Sequence, residues 1–231
     1  MSRPLEDTTP RLGADFFDRP VLEVAPDLLG CVVTHAGVSV RLSEVEAYDG
    51  ARDPGSHAYK GPTRRNATMF GAPGGLYVYF TYGMHHCANL VCREPGWGAG
   101  CLLRAGEVVA GLDTARERAT RPRRGADEAA PRRVVPDRDL ARGPARLARA
   151  LGLGPEHDGV RPVEEDCPVR VNGRQVVLDP ARVRTGPRVG LSGPGGDGTD
   201  YPWRFWIDGD PTVSVYRPAV RRRRRAAPPV P

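Results

Sequence analysis

Gly74-Gly75-Leu76-Tyr77-Val78-Tyr79-Phe80-Thr81-Tyr82-Gly83-Met84 places three tyrosines within six residues of a chain that is only 6% aromatic. Pro73-Gly74-Gly75 turns the chain ahead of this run and Gly83 turns it behind, so it reads as a strand ending in a hairpin. Period-two alternation then sets Tyr77 and Tyr79 on one face and Val78 and Phe80 on the other, with Tyr82 at the loop tip. A planar ring on such a tip can wedge between base pairs, and a planar ring inside can wall a base pocket. The same run also reads as an ordinary core strand capped by Tyr82, because aromatics are good strand formers.

Upstream, residues 31–35 and 38–48 form a predicted hairpin across Ala36-Gly37. Alternation in its second strand puts Val40, Leu42, Glu44, Glu46 and Tyr48 on one face, the two carboxylates about 7 Å apart. Ahead of it, residues 24–30 read as a short helix with Pro26 early and Gly30 as its stop. Residues 49–73 read as a long loop carrying His57, Lys60, Arg64, Arg65 and Asn66, and loops of that length in a compact domain are usually functional or disordered.

Downstream, residues 85–91 return from the hairpin, and residues 101–105 form an apolar strand with Arg104 near its end. A helix is predicted over 108–119, a mobile Arg/Pro-rich loop over about 120–137, and a helix over 144–151 with Pro144 at its start and Gly152 as its stop. Strands are expected at 169–171 and 175–178, joined by an Asn172-Gly173 turn, and again at 204–207 and 213–216. Residues 1–14 read as a loose leader, 15–217 as a single domain, and 218–231 as a disordered basic, Pro-rich tail.

The 231 residues suffice for one sizeable core. No apolar run approaches 18 residues and the N-terminus lacks a signal-peptide apolar core, so a cytoplasmic protein is expected. Five cysteines at irregular spacings fit reduced thiols rather than a disulfide frame or a zinc site, and no structural metal is expected. Of the net charge of +6, five charges lie in Arg221 to Arg225, which leaves 6 − 5 = +1 for the rest. Lys60 is the single lysine among 34 basic residues, which disfavours Schiff-base chemistry.

Ser43-Glu44-Val45-Glu46-Ala47-Tyr48, His57, the tyrosine run with Asn89, and Leu102-Leu103-Arg104-Ala105 together resemble the alkyladenine (3-methyladenine) DNA glycosylase family. Phe16-Phe17-Asp18, Asp139-Leu140, Gly143-Pro144, Arg188-Val189-Gly190, Pro202-Trp203-Arg204-Phe205 and Val213-Ser214-Val215 extend the resemblance over roughly residues 15 to 217. It implies a mixed α/β (α+β) domain on a curved, largely antiparallel sheet flanked by helices. It also implies a monofunctional enzyme of base excision repair, which flips alkylated or deaminated purines from double-stranded DNA and hydrolyses the N-glycosidic bond to leave an abasic site. No metal or cofactor, a monomer and nucleoid association are the corresponding expectations.

Carried over residue by residue, Glu46 is the general base, Arg104 helps to hold the water, and the Leu191 backbone carbonyl completes the water site. Tyr48, His57, Tyr79 and Asn89 form the base pocket, and Tyr82 intercalates. Arg64, Arg65 and the helix start at Gly143 and Ala145 are candidate contacts to the DNA backbone. His85-His86 departs from the aromatic pair of the family. Adjacent strand residues point to opposite faces, so packing or a DNA-edge contact is expected of this pair rather than a shared metal ion.

The chemistry agrees with the resemblance. Glycosidic cleavage builds positive charge on the deoxyribose, which a carboxylate stabilises while it takes a proton from water. Aromatic walls favour cationic alkylated bases. Two readings of other classes compete: a lesion-binding protein without turnover, which has no need of Glu46 beside Arg104, and an RNA-binding protein, for which no ribonucleoprotein motif is present.

Overall fold

A computed structural model describes residues 9–81, 85–121 and 134–219. Tyr82, the arginines of 221–225 and most of the predicted 120–137 loop lie outside the described residues. The elements are α1 (Ala14–Phe17), α2 (Val21–Leu28), β1 (Val32–His35), β2 (Val38–Asp49), β3 (Leu76–Thr81), β4 (His85–Cys92), β5 (Ala99–Ala110), α3 (Leu112–Thr120), α4 (Pro144–Leu151), β6 (Arg170–Asn172), β7 (Val183–Gly186) and β8 (Arg204–Ile207). The strands form one sheet in the order β3-β4-β5-β2-β1-β6, and β8 pairs with both β2 and β7. Every strand pairing is antiparallel. With α2 and α4 packed on the apolar face, this is the mixed α/β architecture expected from the sequence.

The β1–β2 hairpin turns through Ala36 and Gly37, both at positive φ as a tight two-residue connection requires. β2 then pairs with β1 and β8 along one edge and with β5 along the other. The β2–β5 register passes over Ser43 on β2 and Arg104 on β5. Each extra residue moves the following side chains to the opposite face. Val38, Val40 and Leu42 therefore share the main core with Val45 and Ala47, while Glu46 and Tyr48 face away from it into a cavity. The expected single face of Val40, Leu42, Glu44, Glu46 and Tyr48 is corrected accordingly.

Three further expectations are corrected. The helix predicted over 108–119 begins only at Leu112. Val108 and Ala110 are paired with Val40 and Ser39, and Gly111 turns the chain in the left-handed region, where a Cβ would strike the Gly37 carbonyl. The Asn172-Gly173 hairpin does not form, and Val177 of its second strand is 93% exposed. The open edge of β6 is met by the N-terminal segment instead. Leu12 N donates to Val171 O, Gly173 N to Pro10 O and Asn172 Nδ2 to Thr9 O, so the chain is tied to the sheet ahead of Asp15. Residues 213–216 are not a strand; β7, a short polar segment, pairs with β8.

Candidate active site

β2, β3, β4 and β5 present their second face to a cavity of about 340 Å3, closed by the turn around Gly55, residues 189–191 and the start of α4. Glu46, Tyr48, His57, Tyr79, Asn89, Arg104 and Leu191 all line it. Residues far apart in sequence thus meet because neighbouring strands carry the central ones. Among the described residues no group of three His, Cys, Asp or Glu side chains is arranged to hold a metal ion.

Glu46 is fully buried. Its Oε1 accepts from the Val189 amide at 2.7 Å and lies 3.4 Å from Arg104 Nε, and its Oε2 accepts from the Tyr48 hydroxyl at 2.9 Å. Burial and then the Glu46 charge push the Tyr48 phenol well above its ordinary pKa, which keeps it a donor. Glu44, also fully buried, accepts from Arg104 Nε at 2.8 Å, Arg204 Nε at 2.6 Å, Ser214 N at 2.7 Å and Ser214 Oγ at 3.0 Å. Two carboxylates and two guanidiniums out of water compensate one another, as buried charge must. Burial alone would lower the Arg104 pKa; Glu46 and Glu44 outweigh it and raise it, so this cation persists beside Glu46.

The walls are aromatic. Tyr77 and Tyr79 stack at 5.4 Å, and the His57 ring meets Tyr79 edge-on at 4.7 Å. Burial, and then the Cys87 thiol bonded to its hydroxyl, keep Tyr79 protonated. Asn89 sits opposite Tyr77 on β3 and Leu102 on β5, and its Nδ2 donates to the Tyr77 carbonyl at 3.4 Å. Tyr77 carries no role in the sequence reading, although its alternation with Tyr79 was the available signal.

Asn66 orders the long loop that carries His57. Its Oδ1 accepts from Thr63 N at 2.6 Å and Thr63 Oγ1 at 2.9 Å, and its Nδ2 donates to His57 O at 2.8 Å and Gly61 O at 3.2 Å. Asn66→Ala is expected to cost about 1–3 kcal/mol by leaving buried groups unpaired. It should lower the urea midpoint. A wild-type midpoint would show that the loop is held elsewhere.

Behind Tyr48 lies a brace that sequence reading missed. Arg188 donates to Asp53 Oδ2 at 2.5 Å and Oδ1 at 2.6 Å, and to the carbonyls of Ala47 and Gly195. Its guanidinium lies 4.5 Å from the centre of the Tyr48 ring. Gly195 must be glycine for this fit, since a Cβ there would strike the Gly55 backbone.

At the mouth, exposed Arg65 donates from Nη2 to Phe80 O at 3.1 Å, and its charge reaches His57 and Tyr77. Arg64 is exposed and does not line the cavity. Gly143 is the residue before α4, and Pro144 and Ala145 of its first turn line the cavity. The backbone carbonyl assigned to Leu191 belongs to a cavity-lining residue; the group bonded directly to Glu46 from this loop is the Val189 amide.

The sequence profile of the methylpurine-DNA glycosylase (MPG) family matches residues 15–211. A protein of Streptomyces avermitilis is 50% identical over 228 residues, covering 95% of this chain and 97% of its own. One of Leifsonia xyli is 49% identical over 210 residues (89% and 92%), and one of Frankia casuarinae 47% over 223 residues (91% and 95%). Each carries the name "Putative 3-methyladenine DNA glycosylase". With residues 15–211 matched by the family profile and a relative 50% identical across nearly the whole of both chains, the chain belongs to the methylpurine-DNA glycosylase family, hydrolases of N-glycosyl bonds in DNA.

Proposed function

We propose that this protein flips 3-methyladenine, 7-methylguanine, hypoxanthine and ethenoadenine out of duplex DNA and hydrolyses their N-glycosidic bonds as the first step of base excision repair. The observation that carries this reading is a buried carboxylate, Glu46, set beside a guanidinium at one side of an aromatic cavity. Its volume falls at the small end of the roughly 300–1,000 Å3 typical of ligand sites, which suits a single base.

In the proposed reaction a water held between Glu46, Arg104 and the Leu191 carbonyl attacks C1′. The C1′–N bond breaks with its electrons passing to the base, a C1′–O bond forms, and Glu46 takes the proton of the water. A cationic alkylated purine leaves as a neutral base and needs no general acid, whereas neutral hypoxanthine or ethenoadenine leaves as an anion that takes its proton from water. Tyr48, His57 and Tyr79 hold the base by stacking, Asn89 screens it at the floor, and Tyr82 fills the vacated place in the helix. Arg64, Arg65 and the start of α4, at Gly143 and Ala145, contact phosphates. The protein acts as a monomer without metal or cofactor.

Base extrusion is tested with 2-aminopurine placed beside the lesion. Its fluorescence should rise on binding, and an unchanged signal with bound protein would exclude flipping. His57 adds a pH dependence. Burial, and then the Arg65 charge, lower its pKa from 6.5, so the ring is neutral above that value and becomes cationic only below it. A cationic ring against Tyr79 opposes a cationic base and spares a neutral one. Excision of 7-methylguanine should therefore fall relative to hypoxanthine on the acidic side of 6.5, and this trend should vanish in His57→Gln. A ratio independent of pH in the wild type would remove His57 from the base contact.

A further inference from the structure

Residues 212–217 reach the site from behind, although none of them lines the cavity. Nor do Val213, Val215 and Tyr216 join the apolar core, and Val215 is 64% exposed. The contribution of this segment is polar. Ser43, the residue of β2 passed over in the register with β5, accepts at Oγ from Thr212 Oγ1 at 2.7 Å. Two residues on, Ser214 holds both oxygens of Glu44: its amide donates to Oε2 at 2.7 Å and its hydroxyl to Oε1 at 3.0 Å.

Other groups lock the segment in place. Arg204 donates from Nε to Glu44 Oε1 and from Nη2 to the Ser214 carbonyl at 2.8 Å. Arg142, ahead of α4, donates to Val213 O at 2.8 Å. At its far end the segment meets the cavity wall, where Gly190 N donates to Arg217 O at 3.0 Å. Gly190 separates Leu191 from Val189, whose amide holds Glu46.

Glu44 does not line the cavity either, so it can act on the reaction only through the groups that it binds. One of them, Arg104 Nε, lies 2.8 Å from Glu44 and 3.4 Å from Glu46. A fully buried carboxylate depends on its donors, and the shorter charge-assisted bond decides where the guanidinium stands.

We infer that Ser214 is a positioning residue of the active site: it fixes the Glu44 carboxylate, which in turn sets Arg104 beside Glu46. The carbonyl of Arg217 steadies the same site at Gly190. This inference rests on the glycosylase reading, because the group it places is the arginine that holds the attacking water. Misplacement of such a group by about 1 Å can cost on the order of 10²-fold in rate.

The test is single-turnover excision of 7-methylguanine by the full-length protein at saturating enzyme, with lesion affinity read on the same duplex. Ser214→Ala should slow excision by about tenfold, within that range, at unchanged lesion affinity. Ser214→Thr retains a hydroxyl and should keep the wild-type rate. Glu44→Gln should cost more, about 10²-fold. Whichever way its amide turns, it gives up either the Ser214 amide or the two guanidiniums. Groups that act as one unit are not additive, so Ser214→Ala in an Arg104→Gln background should slow excision no further. The same loss repeated in that background would make Ser214 merely structural and overturn the inference. An equal loss in Val33→Ala, a change to the core at β1, would assign the effect to lowered stability and overturn it too. Wild-type release of the base with an unaffected Ser214→Ala would overturn the inference alone, whereas no release by the wild type would take down the glycosylase reading with it.

Discussion

Glu46→Gln is expected to lower the single-turnover excision rate by about 10²–10⁴-fold, the range for loss of a general base. Lesion binding should survive the change. The replacing amide can still accept from the Val189 amide through its oxygen and donate from its nitrogen to the Tyr48 hydroxyl oxygen, so the cavity keeps its shape. It cannot take a proton from water, and it presents no anion to the positive charge that grows on the sugar. The measurement is single-turnover release of 7-methylguanine, with lesion affinity read by anisotropy on the same duplex. Excision at the wild-type rate would remove Glu46 from the reaction. A parallel loss of lesion affinity would make Glu46 a binding group rather than a base.

The largest expected loss of stability comes from Asp53→Asn. Arg188 and Asp53 are both fully buried and meet through two oxygens, so the substitution leaves a guanidinium out of water without the carboxylate that pairs with it. Removing one partner of such a pair costs about 3–5 kcal/mol. For a chain of this size each kcal/mol moves Tm by roughly 2–4 °C, so a fall on the order of 10 °C is expected in a thermal melt. The damage should reach the cavity as well, because Arg188 supports the Tyr48 ring and adjoins Val189, whose amide holds Glu46. KM for a lesion duplex is therefore expected to rise at temperatures where the variant is still folded. A melt within a degree or two of the wild type would mean that water or another group stabilises Arg188.

Much of the site was readable because strands announce their faces. Tyr77 and Tyr79 alternate with Val78, and the structure sends the two tyrosines to the cavity and Val78 to the main core. Glu46, Tyr48, His57, Tyr79, Asn89, Arg104 and Leu191, all marked by the sequence motifs, share one cavity. The α4 helix was also legible, from Pro144 and Gly152 at its two ends.

What escaped was long-range or irregular. The unpaired residues at Ser43 and Arg104 leave no local signature, yet they separate Leu42 from Glu46 across the sheet. Asp53 and Arg188 lie 135 residues apart, and nothing near either one marks the other. Asn172-Gly173 is a strong local turn signal, but tertiary pairing with residues 9–12 took the edge of β6 that a hairpin would have used. Glu44 is the group on which Arg104 and Arg204 converge, and it sets where Arg104 stands against Glu46.

Release of free bases from methylated duplex DNA, with the strand analysed for abasic sites, tests the central claim most directly. Wild-type protein should liberate 3-methyladenine and 7-methylguanine and leave an unbroken strand that alkali cleaves at the vacated positions. Selective binding of the methylated duplex with no base released would contradict it, and would make the Glu46 cavity a lesion-recognition site without turnover.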